Sequence, residues 1–141
     1  MLVDTNILVY AINADDVRHV VARDFLRREF SRVVIAHQNV LETLRVLTHP
    51  TFPSPMSQED ALRIVDDVVR SFRVVSPMQE TFILFWSLLK KYPLVSNRIF
   101  DVYLIATALS NGVRVIATDN DRDFRMFAEI TVVNPFARLN N

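Results

Sequence analysis

Apolar residues recur along this chain in two rhythms. Short runs rich in Val and Ile fall at 2–3, 33–36, 72–76, 113–117 and 130–133, and each reads as a β-strand. Between them lie longer stretches with apolar residues three or four apart, the spacing of one helix face. These cover 17–30, with Val20, Val21, Phe25 and Leu26 toward the core, then 38–48, 58–70, 79–91, 98–110 and a short segment at 122–127. Punctuation supports these bounds. Ser57 caps the third helix, with Asp60 three residues on as in a capping box. The stretch "HPTFPSP" has three prolines and forbids a helix after Thr48. Asn111 and Gly112 stop the helix over 98–110, and Gly112 is the only glycine in the chain.

Strands separated by helical segments predict an α/β fold with a mainly parallel sheet of about four to five strands and helices on both faces. In such sheets ligands bind at the carboxyl ends of the strands. The opening "MLVDTNILVY" acquires a meaning there: Asp4 follows the first strand and is delivered to that edge.

At 141 residues the chain is expected to form a single domain, 1–141, and half of it is apolar, enough for a core. Sixteen basic residues balance sixteen acidic ones, so net charge gives no sign of general affinity for nucleic acid. Eleven of the acids are Asp and five are Glu, a bias that suits caps, turns and metal sites. The absence of Cys excludes disulfides, thiolate zinc sites and cysteine nucleophiles, and fits a reducing cytoplasm. Asp4 breaks the first apolar stretch and no basic region precedes it, so it is not a secretory signal. Clean apolar runs such as 82–86 are far short of a membrane span.

Four acids stand in awkward places. Asp4 follows an apolar strand, where it also fits the cap of a helix. Glu42 lies in "NVLETLRVL", where a solvent-facing position beside Arg45 is the plain alternative. Asp101 lies in "RIFDVYLIATAL" and shares a helix face with Leu104, Ile105 and Ala108. A lone carboxylate buried there costs several kcal/mol unless paired, and Arg98 is the one cation within a turn. "TDNDRDF" places Asp119, Asp121 and Asp123 after another strand, where a turn is the plain reading. Asp123 reads as a first-turn helix acid. Acids gathered at one sheet edge repel and raise one another's pKa values. A divalent cation relieves that, and an all-oxygen site selects Mg²⁺ or Mn²⁺. His19, His37 and His49 show no ligand spacing.

The segments "MLVDTNILVY", "NVLETLRVL", "FDVYLIATALSNGVRVIATDNDRDF" and "VVNPF", in this order and over nearly the whole length, resemble a PIN domain, in particular the VapC-type toxins of type II toxin–antitoxin pairs. The resemblance implies a three-layer α/β/α sandwich. It implies an Mg²⁺- or Mn²⁺-dependent endoribonuclease toxin that cuts structured RNA such as tRNA or rRNA. It also implies a homodimer and a cognate antitoxin. Asp4 matches the family's first acid and Asp101 its third, the two expected metal ligands. Glu42 matches the second acid. Thr5 and Asn6 match the polar residues that brace the first acid, and Thr118 opens the motif of the fourth. Either Asp119 or Asp121 is expected to supply that fourth acid, and Asp123 is expected to matter little.

Metal-activated water would then attack phosphorus and leave a 5′-phosphate and a 3′-hydroxyl. Arg98, Arg122, Arg125, Lys90 and Lys91 are candidates for RNA phosphate contacts. Apolar residues in "TFILFW" and "PTFPSPM" exceed what one small sheet needs and are candidates for partner surfaces. Two other readings compete. An aspartate-nucleophile phosphatase also begins with Asp after its first strand, but wants a second Asp where this chain has Asn6. A catalytically inactive PIN-like module would bind RNA or protein without cutting.

Overall fold

The computed structural model describes residues 1–94 and 96–137; Val95 and the end of the expected domain, 138–141, lie outside the described residues. The elements follow the order β1 (Leu2–Val3), α1 (Thr5–Ile12), α2 (His19–Arg28), a 3₁₀ turn (Phe30–Arg32), β2 (Val34–Ala36), α3 (His37–Thr48), α4 (Gln58–Ser71), β3 (Arg73–Val75), α5 (Thr81–Lys91), α6 (Arg98–Ser110), β4 (Val115–Ala117), α7 (Asp121–Phe124) and β5 (Thr131–Val133). All four strand pairings are parallel, in the order β3-β2-β1-β4-β5. The three-layer α/β/α architecture matches the expectation, with five strands.

Alternation along each strand sorts the core. Leu2, Val34, Ala36 and Ile116 face α5 and α6, where they meet Phe85, Leu88, Val102 and Ile105. Val3, Ile35 and Ala117 face the other way, onto Ile7, Leu8, Phe25 and Phe136. A smaller cluster of Leu47, Ala61 and Val65 joins α3 to α4. Burying each large side chain here stabilises by about 1.5–3 kcal/mol.

The local signals act as predicted, with three adjustments. Ser57 Oγ accepts from the Asp60 N–H at 3.1 Å and caps α4. Gly112 has φ +72°, and the Val113 N–H returns to the Ala108 carbonyl, closing α6. The helix expected from 17 begins at His19, because Asp16 Oδ1 accepts from the Arg18 N–H at 2.8 Å and holds a turn there. The helix expected over 122–127 is the single turn α7. Residues 5–12 form α1, whose cap is Asp4. In α5, Phe85 and Leu88 turn inward while Phe82, Ile83 and Trp86 are exposed. Among the described residues no helix is long and apolar enough to cross a membrane.

The topology fixes where a site can form. From β1 the chain moves outward through β2 to β3, then crosses to β4 on the other side of β1. The crevice beyond the ends of β1 and β4 is therefore the switch point of the sheet, the place where open α/β sheets bind ligands.

Candidate active site

Asp4 and Thr118 face each other across that crevice. The Asp4 N–H donates to the Ala117 carbonyl at 2.9 Å, extending the β1–β4 pairing by one residue. Its carboxylate is then gripped from three sides. Oδ1 accepts from the Thr5 N–H at 2.7 Å, which is the helix cap. Oδ2 accepts from Asn6 Nδ2 at 2.9 Å and from Thr118 Oγ1 at 2.7 Å. The plain reading holds, since one oxygen caps α1, and the other oxygen is held by Asn6 and Thr118. Burial pushes the Asp4 carboxyl above its usual range, Glu42 adds to this, and the three donors oppose it without winning.

Glu42 comes from α3. Its Oε2 accepts from Thr5 Oγ1 at 2.7 Å, and Oε1 accepts from Gln38 Nε2 at 2.9 Å. It makes no ion pair with Arg45 among the described residues. Thr5 Oγ1 also accepts from Asn39 Nδ2 at 3.2 Å. Asn39 is fully buried, and its Oδ1 takes the Ala36 N–H at 2.9 Å, tying the end of β2 to the start of α3.

Asp101, in the first turn of α6, is half-buried, and its carboxylate receives no hydrogen bond among the described residues. Its pKa is pushed up to about 6. Burial is the main cause, followed by the charges of Asp4, Asp123 and Glu42, with Arg98 opposing. Asp101 thus feels three acids from other parts of the chain, Asp4, Glu42 and Asp123.

The acid that meets Asp101 from "TDNDRDF" is Asp123, neither Asp119 nor Asp121. Asp119 turns away to Arg18 Nη1 at 2.9 Å, within reach of the Tyr10 hydroxyl at 3.3 Å. Arg18 also stacks over the Tyr10 ring. Asp121 pairs with Arg125 one turn along and accepts weakly from Asn134. Asp123 Oδ2 accepts from Asn120 Nδ2 at 2.6 Å, and its Oδ1 pairs with Arg98 at 3.1 Å. The cause is local. Thr118 Oγ1 takes the Asn120 N–H at 3.0 Å and ends the strand in a turn, so period-2 facing stops before Asp121. Helical spacing then carries Asp123 back over Asn120. Phe124, buried at the end of α7, anchors that turn to the core.

Of the basic candidates, Arg98 is occupied by Asp123 and Arg125 by Asp121. Arg122 and Lys90 are exposed, and Lys91 pairs with Glu129 at 2.7 Å. Arg122 and Arg125 border a polar cavity of about 500 Å³ lined also by Asp119, Asn120, Asp121 and Asn134. Sequence reasoning read Asp123 as a plain helix acid and did not single out Gln38, Asn39 or Asn120, which hydrogen-bond around these acids, or Arg18, which pairs with Asp119.

Among the described residues no three acidic or histidine side chains stand close enough to enclose a metal ion by themselves. Mg²⁺ does not require such a cage, since it keeps several waters and takes one or two carboxylates together with substrate phosphate. Asp4 Oδ1, with one hydrogen bond, and the undonated Asp101 carboxylate fit that demand, so the residues present suit Mg²⁺ or Mn²⁺.

The profile of the PIN domain family matches residues 1–130, and the chain belongs to the PIN domain family. Solved structures share its fold. One is FitAcB from Neisseria gonorrhoeae, at 18% identity and TM-score 0.73, covering 96% of this chain and 98% of that one. Another is a DNA-bound VapBC from Salmonella typhimurium, at 20% identity and TM-score 0.72, covering 95% and 96%. A third is VapC20 from Mycobacterium tuberculosis, described as a sarcin–ricin loop cleaving toxin, at 19% identity and TM-score 0.68, covering 92% and 97%. No protein of curated function matches the chain by sequence.

Proposed function

We propose that this protein is an Mg²⁺- or Mn²⁺-dependent endoribonuclease, the toxin of a type II toxin–antitoxin pair, acting on structured RNA in the cytoplasm. One observation carries the reading. Asp4 and Asp101 meet at the switch point of a parallel sheet with raised pKa values, and Asp101 has no donor of its own. Carboxylates in that state are poised for a cation. The similarity in fold to VapC20 and to the VapBC and FitAcB structures supports the RNA substrate and the antitoxin partner.

A bound divalent cation supplies positive charge for the phosphodiester and lowers the pKa of water beside it. The chain's own groups do the rest. Thr5, Asn6 and Thr118 fix the Asp4 carboxylate, so that it holds one orientation whether loaded or empty. Asp101 is the second ligand. Glu42 and Asp123 are carboxylates placed to accept a proton from the attacking water. Attack by water on phosphorus leaves a 5′-phosphate and a 3′-hydroxyl. The exposed Phe82, Ile83 and Trp86 of α5 suit a protein partner, in keeping with a homodimer that carries an antitoxin.

The phosphatase reading loses its second acid, since the Asn6 amide donates to Asp4 and carries no acidic proton. The test uses purified protein and a mixed pool of cellular RNA. Cleavage with Mg²⁺ or Mn²⁺, ended by EDTA and absent from Asp101→Asn, is expected. Full activity in excess EDTA would sink the proposal, and binding without cutting would favour the inactive module. Expression without a partner should arrest growth, with the protein purifying as a dimer; a harmless monomer would contradict the toxin reading.

A further inference from the structure

Glu42 and Asp101 belong to helices from distant parts of the chain, and both are acids that repel. Gln38 spans the gap between those helices. Its amide nitrogen donates to Glu42 Oε1 at 2.9 Å and to the carbonyl of Phe100, the residue before Asp101, at 3.1 Å. An amide has two N–H donors, and here both are used. Turned over, the amide oxygen would face a carboxylate and a carbonyl, so the orientation is fixed by its partners. The oxygen Oε1 is buried and has no donor. Among the described residues the other buried side-chain polar atom without a partner is Arg98 Nε, on the side chain that grips Asp123. Both unpaired atoms therefore sit on side chains that hold an acid of the cluster. Leaving a buried polar atom unpaired opposes folding, and the hold on each acid offsets it.

The geometry points to Gln38 as a positioning residue that sets the separation of Glu42 from Asp101. The hydrogen-bonded path runs from Asp4 Oδ1 to the Thr5 N–H, from Thr5 Oγ1 to Glu42 Oε2, from Glu42 Oε1 to Gln38, and from Gln38 to the backbone of α6 beside Asp101. Three acids are strung on it. Gln38 is the link of that path that crosses from α3 to α6, so without it nothing in the path resists the repulsion between Glu42 and Asp101. Its consequence for cleavage rests on the nuclease reading above; the clasp itself does not.

The experiment has two arms. In metal-free protein, NMR of the Gln38 side-chain amide should show slowly exchanging protons, with one resonance shifted by Glu42→Ala and the other retained. An amide in fast exchange that ignores Glu42→Ala would overturn the clasp, whatever the protein does to RNA. In the second arm, Gln38→Met keeps the length and removes both donors. It should lower kcat for RNA cleavage in Mn²⁺ about 10- to 100-fold, weaken Mn²⁺ binding, and leave KM within about twofold. Should Gln38→Met fail to fold, Gln38→Asn serves, since its amide is one methylene too short to span both acceptors. Unchanged kcat and Mn²⁺ affinity in a folded variant would overturn the positioning role. Wild-type protein that cuts no RNA would remove the nuclease reading, while the amide resonances would still decide whether Gln38 joins the helices.

Discussion

Asp119 and Asp121 differ from Asp101 and Asp123 in the company they keep. Asp119 faces Arg18 and Asp121 faces Arg125, so each has a cation at contact distance. Asp101 faces other acids with no cation at contact distance among the described residues, and Asp123, although paired with Arg98 at 3.1 Å, lies beside that crowd. All three aspartates of "TDNDRDF" lie within one turn and a half of chain, yet they divide between two duties. An acid matched to its own cation is bound to structure and has little left to offer a ligand. An acid crowded by like charge holds unspent affinity for a cation.

That contrast is most exposed at its extremes. Asp4→Asn and Asp101→Asn should each lower metal-dependent RNA cleavage by orders of magnitude while circular dichroism shows the fold retained. Cleavage at wild-type rates in either would remove that residue from the site. Next in size, Asp123→Asn should reduce the rate about 10- to 100-fold, and Asp121→Asn should leave it near wild type. The reverse ranking would restore the sequence-based expectation and show that the crowd around Asp101 misleads.

A stability effect comes third. Removing the part-buried charge partner in Asp119→Asn should cost about 1.5–3 kcal/mol in urea unfolding, with cleavage per folded molecule preserved. Arg18→Met should cost a similar amount, and the double variant less than the sum. Strict additivity would show that the pair does not couple.

The smallest effect is on pH dependence without metal. The Asp101 carboxyl is raised from 3.8 to about 6, so the folded state holds its proton more tightly than the unfolded chain does. The resulting stability is fully present below the unfolded value and is lost as pH rises through about 6. Metal-free protein should therefore lose melting temperature across that window as pH rises. Asp101→Asn should flatten the slope, and Mg²⁺ should restore stability above it. Metal at a hundred times its Kd would add about 2.7 kcal/mol. A slope that Asp101→Asn does not alter would mean that Asp101 is not the strained acid.

The elements were legible because their signals are local. Apolar spacing, the Ser57 cap and Gly112 each act within a few residues of themselves, and their helices end where those signals fall. Asp4 was legible for a similar reason, since a carboxylate straight after an apolar strand has few places to go. Asp123 was not legible, because its first-turn position on a short helix explains it fully without a site. Only the turn at Asn120, pinned by Thr118, reveals which way it points. Gln38 gave no sign either. Its two acceptors are four and 62 residues away, and no pattern along α3 distinguishes a glutamine that bridges helices from one that faces water.

The sheet order has a consequence for how the protein comes into being. Asp4 leaves the ribosome well before Thr118, whose hydroxyl fixes it from 114 residues further along the chain. The β4 strand that completes the crevice must be made late and then paired against β1 at the centre of the sheet. Long-range parallel pairing of this kind is slow, because loop closure precedes any reward. A nascent chain therefore carries Asp4 without a finished crevice until β4 has been synthesised and paired. Chains truncated before β4 should therefore leave the Asp4 carboxylate without its Thr118 partner.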